Sequence, residues 1–393
     1  MRLNGTIYLD YQASAPIDPV VLAAMETSWR QDFANPHAAE HSLGWAAHAR
    51  IESAAAEIGA TLGVGGDHIV FTSGATEANW LAIVGAVAGR GSAARRIVIS
   101  AAEHKSVQNA AQHAAKRFGL GVETIGVDAS GCVSAAVLQE VVAPDVALVS
   151  VIAVGNEAGA INDLAALRAA VGPEMLLHVD ASQAPAAIGL GDIAQYADLV
   201  TLSSHKAYGP KGVGALVVSP DLQGHMQALM PGGSQQSGLR PGTLPTPLCV
   251  GFAAALTRMG ALKDERVRIA ELRDRFVASL ARRCGAVSLV GASDARRHPG
   301  NACVRIEGVE AGDLLSALQP QIAASSQSAC NSGTMSPSEV LLAMGLSPLA
   351  AGECVRFSLG RFTDAAQADE AADIVAGAIE GRRALPRPSR TAR

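Results

Sequence analysis

Short apolar runs alternate with longer amphipathic stretches over residues 66–218. Most of these runs are rich in Val and Ile and apolar on both faces, which is typical of parallel strands covered by helices. The runs that predict strands are 68–72, 96–100, 121–126, 146–153, 175–180, 198–202 and 212–218. The helices predicted between them include 75–87, 106–117 and 164–170. This alternation predicts an α/β domain with a mostly parallel sheet.

The pattern changes after residue 251. A long, charge-rich helix is predicted over 247–282. Shorter elements follow, with strands near Val287, Cys303 and Cys354 and helices near Asp313 and Pro337. Strands and helices in this mixture predict a smaller α+β domain.

These elements divide the chain into three parts. The large domain spans residues 15–255. Residues 1–14 are too few to form a domain, so we expect them to pack with residues 256–382 in the small domain. Residues 383–393 are basic and contain prolines, and we expect them to form a disordered tail.

Composition excludes several classes of protein. The 393 residues carry a net charge of −5 without a basic stripe, so no nucleic-acid partner is expected. The start, MRLNGTIYLD, lacks the apolar core of a signal peptide, and no apolar run reaches the roughly 18–20 residues of a membrane span. None of the six cysteines forms a CxxC pair, so neither disulfides nor zinc are expected. We therefore expect a soluble cytoplasmic protein.

Four polar segments follow predicted strands of the large domain. Because ligands bind outside the carboxyl ends of strands in open α/β sheets, all four can converge on one crevice. The segments are SGATE at 73–77, AEHKSV at 102–107, HVDASQ at 178–183 and SSHKAYGPKG at 203–212.

Two of the segments can hold a phosphate group. SGATE opens a helix, where Gly74 allows close approach and the free backbone N–H groups favour an anion. The hydroxyl of Thr76 can add a hydrogen bond, and Ser203 and His205 can donate from the neighbouring strand end. An ordinary helix cap without a ligand is the alternative for SGATE.

The two other segments offer partners for an aromatic ring. A buried carboxylate such as Asp180 is costly unless a cation or donors meet it, and a protonated pyridine nitrogen would do so. Gln183 can donate to a phenolate oxygen, and His104 can stack on a ring and move protons. The alternatives are a helix cap by Asp180, near Ala181, and a structural role for His104.

Lys206 completes the set. In a partly desolvated crevice its pKa would fall, which makes it a good imine former. Alone it would be interpreted as a solvated surface charge, as we expect Lys211 to be. A phosphate cradle, a stacking histidine, a carboxylate and a lysine together predict that Lys206 carries pyridoxal 5′-phosphate (PLP) as a Schiff base.

Three residues elsewhere are candidates for chemistry on a substrate. Cys330 lies in SSQSACNSGTMSPSEVL, which predicts an exposed, mobile loop and a reactive thiol, with an incidental surface thiol as the alternative. Arg356 lies on an apolar, strand-like segment and could grip a substrate carboxylate or form an internal salt bridge. Asn35, in FANPH, could also reach a carboxylate or form an Asx turn.

Taken together, the motifs resemble the class V aminotransferase family, and within it the NifS/IscS-type cysteine desulfurases. The resemblance spans nearly the whole chain. Its motifs are YLDYQASAP, FANP, FTSGATEAN, AEHKSV, HVDASQ, SSHKAYGPKGVGAL, RPGTLPTP, SSQSAC and VRFSLGRFT. It implies the PLP-dependent transferase fold of type I, with a large domain containing a mostly parallel sheet and a smaller α+β domain.

The resemblance also implies a role for each site residue. Lys206 would bind PLP and remove the Cα proton of the substrate, and His104 would stack on the ring as an acid/base. Asp180 would meet the pyridine nitrogen, with Gln183 and Asn156 at the phenolic oxygen. The remaining cofactor contacts would come from Ala75, Thr76, Ser203 and His205.

The implied reaction converts L-cysteine to alanine. Arg356 and Asn35 would hold the substrate carboxylate, and Cys330 would attack its sulfur to form a persulfide. Thr243 would reach the phosphate across a homodimer interface. A sulfur-acceptor protein, such as an iron–sulfur scaffold, would then receive the sulfur. Alternatives within the fold are a selenocysteine lyase, another β-eliminating lyase or an aminotransferase, and beyond it a sulfur-relay partner with little turnover.

Five positions depart from the family's usual residues. Gly155 replaces the first Asn of VNNE. Gln327 and Asn331 flank Cys330 where Gly and Ser or Thr are usual. Gln236 and Ser237 replace a charged pair in the GGGxERG stretch. These departures leave the PLP set intact but affect the Cys330 segment.

Overall fold

The computed structural model describes residues 1–89, 94–260, 263–326, 329–331 and 334–384. Strands are Arg2–Leu3 (β1), Thr6–Tyr8 (β2), Ile69–Thr72 (β3), Arg96–Ser100 (β4), Gly121–Ile125 (β5), Val146–Ile152 (β6), Leu177–Asp180 (β7), Leu199–Ser203 (β8), Gly214–Val218 (β9), Val287–Leu289 (β10), Asn301–Ile306 (β11), Ile322–Ala323 (β12), Ser325–Ser326 (β13), Ala329–Asn331 (β14), Thr334–Ser336 (β15) and Cys354–Ser358 (β16).

The α-helices are Pro19–Gln31 (α1), Ser42–Leu62 (α2), Ala75–Trp80 (α3), Ala86–Ala88 (α4), Lys105–Phe118 (α5), Ala135–Val141 (α6), Leu164–Val171 (α7), Ala184–Ala187 (α8), Ile193–Tyr196 (α9), Pro220–Gln223 (α10), Thr246–Gly260 (α11), Lys263–Cys284 (α12), Ala311–Ala317 (α13), Glu339–Ala343 (α14), Pro348–Gly352 (α15) and Ala365–Ala384 (α16). Short 3₁₀ turns lie at Gly66–His68, Ser204–Lys206 and Gln235–Gly238, and a π-helical turn at Leu81–Gly85.

A seven-stranded sheet in the order β3-β9-β8-β7-β6-β4-β5 forms the centre of the large domain. β9 runs antiparallel to both of its neighbours, and the other pairs are parallel. Every run predicted as a strand in this domain forms one. Most are apolar because helices cover both faces of the sheet, whereas the edge strand β5, with the sequence GVETI, is buried only at Ile125. β6, with the sequence VALVSVI, is buried at every position.

A second, smaller sheet has its own core. Its strand order is β10-β11-β16-β13, and all of its pairs are antiparallel. The rings of Phe276 on α12 and Phe357 on β16 pack edge to face, with centroids 5.1 Å apart. β2, near the N-terminus, pairs in parallel with β12 and buries Ile7 in this second core.

The segment predicted as one helix over 247–282 is described as α11 and α12, and residues 261–262 lie outside the described residues. Leu256 and Met259 of α11 pack in the first core, whereas Ile269 and Leu272 of α12 pack in the second. α16 continues through Ala384, so the first two residues of the tail expected at 383–393 are helical. Residues 385–393 lie outside the described residues. Within the described ranges, no helix has the length and apolar character needed to cross a membrane.

Gln236 completes the hydrogen bonding of an edge strand. Its Oε1 accepts from the backbone N–H of Phe71 on β3 at 2.6 Å, and its Nε2 donates to the Phe71 carbonyl at 2.9 Å. A neighbouring strand would supply the same pair of bonds. The side chain achieves this from a turn in which Gln236 and Ser237 adopt positive φ values of 49° and 57°. The departure from the usual charged pair therefore has a structural role here.

We predict that Gln236→Glu destabilises the protein by about 1–3 kcal/mol, because a carboxylate cannot donate to the buried Phe71 carbonyl. Denaturant unfolding monitored by circular dichroism measures the loss. Gln235→Glu is the matched control, since Gln235 uses its Oε1 as an acceptor from Gly242 N–H at 3.0 Å and a carboxylate can do the same. Equal stability of the two variants would contradict this account of the turn.

Candidate active site

Lys206 lies at the end of a 3₁₀ turn that follows β8 directly. Within the described residues its amine forms no hydrogen bond or ion pair. Burial lowers the pKa of Lys206, and the charge of Arg356 lowers it further. The charge of Asp180 acts in the opposite direction but does not outweigh burial. The amine is therefore available as a neutral nucleophile more readily than a surface lysine.

Tyr208 holds the turn that carries Lys206. Its φ of 62° is in the left-handed region, which is uncommon for a bulky residue and is maintained only by its surroundings. The ring packs on Tyr11 and Phe362, with centroids 6.2 and 5.9 Å away. The guanidinium of Arg361 lies 4.2 Å from the ring centroid. The backbone N–H of Arg361 donates to the Tyr208 hydroxyl at 2.8 Å. This packing fixes the direction of the chain beside Lys206.

Asp180, at the end of β7, is buried and accepts three hydrogen bonds. Ser182 donates from its backbone N–H at 2.9 Å and from its hydroxyl at 2.6 Å, and Asn79 Nδ2 donates at 2.9 Å. Burial alone would raise the pKa of Asp180, but the bonds from Ser182 and Asn79 outweigh it and hold the pKa below its usual value. The carboxylate is thus ionised. Its two bonds from Ser182 cap the local turn and do not prevent it from also binding a ligand.

His104 caps the N-terminus of α5. Its Nδ1 lies 3.1 Å from the backbone N–H donor of Ser106 and 2.8 Å from the Ser106 hydroxyl. The ring is exposed to the crevice, yet the surrounding protein displaces enough water to lower its pKa, despite the charge of Asp180. A neutral imidazole therefore faces the crevice.

A group of small and polar residues lines the crevice at the start of α3. Gly74 has a φ of 151°, and a Cβ built there would meet no atom within 4 Å, so the space before the helix is open. Ala75 is half-buried and Thr76 is exposed. On the adjacent strand end, the hydroxyl of Ser203 lies 3.1 Å from His205 Nδ1. Burial lowers the pKa of His205 to about 4, so this histidine is neutral.

Gln183 and Asn156 approach the crevice with part of their hydrogen-bonding capacity already used. Gln183 is buried, and its Nε2 donates to the carbonyl of Gln12 at 2.8 Å, which leaves one N–H. Asn156 is half-buried, and its backbone carbonyl accepts from Arg356 at 2.6 Å. At the neighbouring Gly155 a Cβ would make only ordinary contacts with Ala160, so sterics do not require glycine there.

Arg356 forms the internal salt bridge that was the alternative to a substrate contact. Its Nη2 lies 2.8 Å from Oδ1 of Asp10, and Asp10 also accepts from the Ser325 hydroxyl at 2.7 Å. The Nε atom is buried without a partner among the described residues. Each Nη still has one N–H, so a carboxylate can approach. Sequence reasoning missed Asp10, although an acidic residue directly after a short strand in YLDYQASAP was a usable signal.

Asn35 and Thr243 make local contacts of their own. Asn35 is exposed, and its Oδ1 accepts from the His37 N–H at 3.0 Å, which is the Asx turn considered as its alternative. Thr243 is exposed in a loop that the Arg240–Glu77 ion pair, at 2.8 Å, attaches to α3. Among the described residues, no hydrogen bond joins either side chain to Lys206 or Arg356.

The segment around Cys330, expected to be an exposed, mobile loop, contains a short hairpin. Residues 329–331 form β14 and pair antiparallel with β15, so that Cys330 lies opposite Met335. Two three-residue segments separated by two residues suffice for a short hairpin, which the Ser- and Asn-rich composition did not indicate. The side chain of Cys330 and residue 327 lie outside what the structure describes.

The base of the Cys330 hairpin is attached to the crevice through Glu157. The Ser338 hydroxyl donates to Glu157 Oε2, and the same hydroxyl oxygen accepts from the Leu341 N–H at 3.1 Å to cap α14. Burial raises the pKa of Glu157 to about 7. Glu157 follows Asn156 directly, so the C-terminal end of the hairpin lies next to the crevice. Nothing in the sequence pattern indicated this contact.

These residues fit a bound PLP. Asp180 is a buried negative charge with no ion pair among the described residues, and a protonated pyridine nitrogen would supply its cation. Lys206 is an unbonded amine with a lowered pKa. Open space at Gly74, next to the donors at Thr76, Ser203 and His205, suits a phosphate. All four predicted segments therefore meet at one crevice.

Comparison with known proteins places the chain in a family. The family model Aminotransferase class-V matches residues 7–370. Cysteine desulfurase IscS of Rickettsia typhi is 35% identical over 386 residues, which cover 98% of this chain and 93% of the relative. A solved NifS-like protein has a TM-score of 0.88 at 27% identity, over 96% of this chain and 100% of that one. SspA in complex with cysteine has a TM-score of 0.77 at 30% identity, over 91% and 100%.

Proposed function

The chain belongs to the aminotransferase class-V family, and we propose that it is a cysteine desulfurase that holds sulfur as a persulfide on Cys330. Class V aminotransferases and cysteine desulfurases are PLP enzymes. The observation that carries the proposal is the meeting of an unbonded Lys206, an ionised Asp180 and a neutral His104 in one crevice. The hairpin that bears Cys330 is attached beside it through Ser338 and Glu157.

Each cofactor group has a partner in this crevice. Lys206 would bind PLP covalently, and the ionised Asp180 would hold the charge of the pyridine nitrogen. The other contacts would come from Ala75, Thr76, Asn156, Gln183, Ser203 and His205. Bound PLP supplies an electron sink that stabilises negative charge at the substrate Cα.

The chain's own groups move the protons. Because its pKa is lowered, the Lys206 amine can accept a proton from the substrate Cα near neutral pH. His104 is the second group in the crevice that carries an exchangeable proton. Arg356 retains one N–H on each Nη for the substrate carboxylate, and we propose that Asn35 assists it.

Cys330 takes the sulfur. Its thiolate forms an S–S bond with the substrate sulfur as the bond from that sulfur to Cβ breaks. The electron pair left on the substrate carbon takes a proton, so the products are alanine and the Cys330 persulfide. We propose that the Cys330 persulfide then delivers this sulfur to an acceptor protein. An iron–sulfur scaffold is the acceptor we propose.

Product analysis tests the activity. The proposal predicts alanine and sulfide in equal amounts from L-cysteine when a thiol reductant is present. Pyruvate and ammonia would instead indicate a β-eliminating lyase, and amino-group transfer to a keto acid would indicate an aminotransferase. A much higher rate with selenocysteine than with cysteine would favour a selenocysteine lyase, because selenium leaves more readily.

We also propose that the protein is a homodimer. Seven large apolar side chains are exposed within residues 17–45, among them Phe33 at 72% and Trp45 at 59%. Clusters of exposed apolar residues in soluble proteins usually mark an interaction surface. A second copy of this chain is the occupant we propose, and it would bring Thr243 to the phosphate of its partner's site.

Trp45→Asp should therefore convert the dimer to a monomer in light scattering coupled to gel filtration. Val267→Asp, on α12, is the matched control because Val267 is 58% exposed but lies far from residues 17–45 in the sequence. That variant should stay dimeric. A monomeric unmodified protein would contradict the dimer while leaving the desulfurase proposal standing.

A further inference from the structure

A row of hydrogen bonds joins Asp180 to His104. Asn79, on α3, is fully buried, and its Nδ2 lies 2.9 Å from Asp180 Oδ2 and 2.9 Å from Ser106 Oγ. Ser106 Oγ lies 2.8 Å from His104 Nδ1. The row thus links the proposed partner of the pyridine nitrogen to the proposed stacking histidine through two residues that are not among the proposed cofactor contacts.

The direction of every bond in this row can be assigned. An ionised carboxylate only accepts, so Asn79 must turn its NH₂ group toward Asp180. The opposite orientation would place Asn79 Oδ1 against the carboxylate. The second N–H of the same NH₂ group goes to Ser106 Oγ, which leaves the Ser106 hydroxyl hydrogen free for His104 Nδ1. Asn79 Oδ1 is buried without a partner among the described residues. This orientation therefore costs the free energy of one unsatisfied acceptor, which the bonds to Asp180 and Ser106 must offset.

His104 Nδ1 therefore faces two donors. The backbone N–H of Ser106 donates to it at 3.1 Å, and the Ser106 hydroxyl donates from 2.8 Å. A nitrogen that accepts from two donors cannot carry a proton itself. The neutral ring must have its hydrogen on Nε2.

We propose that Asn79 and Ser106 are positioning residues: the carboxylate of Asp180 fixes the orientation of Asn79, which through Ser106 holds His104 in its Nε2–H tautomer. The inference rests on the proposed roles of Asp180 and His104 toward PLP. It assigns His104 one N–H donor toward the crevice. A further proton could be taken only at Nδ1, where it would break both bonds from Ser106. The imidazolium form is thereby disfavoured beside Lys206.

Nitrogen-15 NMR of the histidine-labelled holoprotein tests the tautomer without any substitution in the row. Long-range proton–nitrogen correlations should show His104 neutral and protonated at Nε2 from about pH 6 to pH 8. The His104→Gln variant serves to assign the signals. An Nδ1–H tautomer, or a cationic His104 at pH 7, would overturn the proposal.

Two variants test whether Asn79 and Ser106 control the protonation of His104. Ser106→Ala removes the hydroxyl donor, and Asn79→Asp, which has nearly the same shape, replaces the donor to Asp180 and Ser106 with an acceptor. Each should raise the pKa of His104 by about one unit or more in the same spectra. In Asn79→Asp the two carboxylates must share a proton, so the pH dependence of the visible absorption of bound PLP should also shift. Turnover should fall roughly tenfold to a hundredfold in both.

Asn109→Asp is the matched control, because Asn109 is exposed on α5, the helix that His104 caps. It adds the same charge outside the row and should leave the tautomer, the pKa and the absorption unchanged. Unchanged His104 signals in both Ser106→Ala and Asn79→Asp would overturn the proposal. The NMR result does not depend on turnover, so failure of the desulfurase activity would be recognised separately by product analysis.

Discussion

Lys206→Ala will lower the rate of alanine formation from L-cysteine by at least roughly 10²–10⁴-fold, the range expected for loss of a positioned proton-transfer group. The effect is large because one side chain has two tasks. We propose that it binds the cofactor covalently and that its lowered pKa lets it accept the Cα proton. No other lysine lies in the four segments that line the crevice except Lys105 and Lys211, and both are exposed.

Borohydride reduction followed by mass spectrometry is the direct measurement for this variant. In the unmodified protein it should attach PLP permanently to the peptide containing Lys206, and in the variant PLP should be removable by dialysis. Lys211→Ala is the matched control from the same turn and should retain both the attachment and the activity. Attachment to Lys211 instead, or normal turnover by Lys206→Ala, would refute the assignment.

Cys330→Ala will lower alanine and sulfide production by at least about 10²-fold while the absorption spectrum of bound PLP stays unchanged. The separation is expected because Cys330 lies on a hairpin outside the large sheet, whereas Asp180 and Ser203, two of the proposed PLP contacts, lie at strand ends of that sheet. Loss of the thiol removes the sulfur acceptor and leaves the cofactor crevice intact.

Cys284→Ala is the matched control for this variant, because Cys284 is partly exposed, whereas Cys132, Cys249, Cys303 and Cys354 are buried. Its turnover should equal that of the unmodified protein. Normal alanine production by Cys330→Ala would exclude the persulfide route. Loss of the PLP spectrum would show instead that the hairpin supports the cofactor site.

The large sheet and the polar residues at its strand ends could be predicted from sequence because both depend on local patterns. Buried strands are continuous apolar runs, and the functional side chains follow directly at their ends, as Lys206 does after β8. The order of the segments along the chain then places them at one edge of a parallel sheet.

The contacts that could not be predicted join residues that are distant in sequence. Asp10 meets Arg356 across a separation of 346 residues, and Glu157 meets Ser338 across 181. Asn79 was visible in FTSGATEAN, but its bond to Asp180 depends on how α3 packs over the sheet. Periodicity carries no information about such pairs, so they emerge only from the fold.

Transfer of sulfur from L-cysteine to Cys330 can be measured directly in a single turnover. The holoprotein is mixed with a stoichiometric amount of L-cysteine without reductant, alkylated, digested and examined by mass spectrometry. The account predicts that the Cys330 peptide gains the mass of one sulfur atom, with an equal amount of alanine formed. Alanine formed without added sulfur on Cys330, or sulfur found on another cysteine, would contradict it.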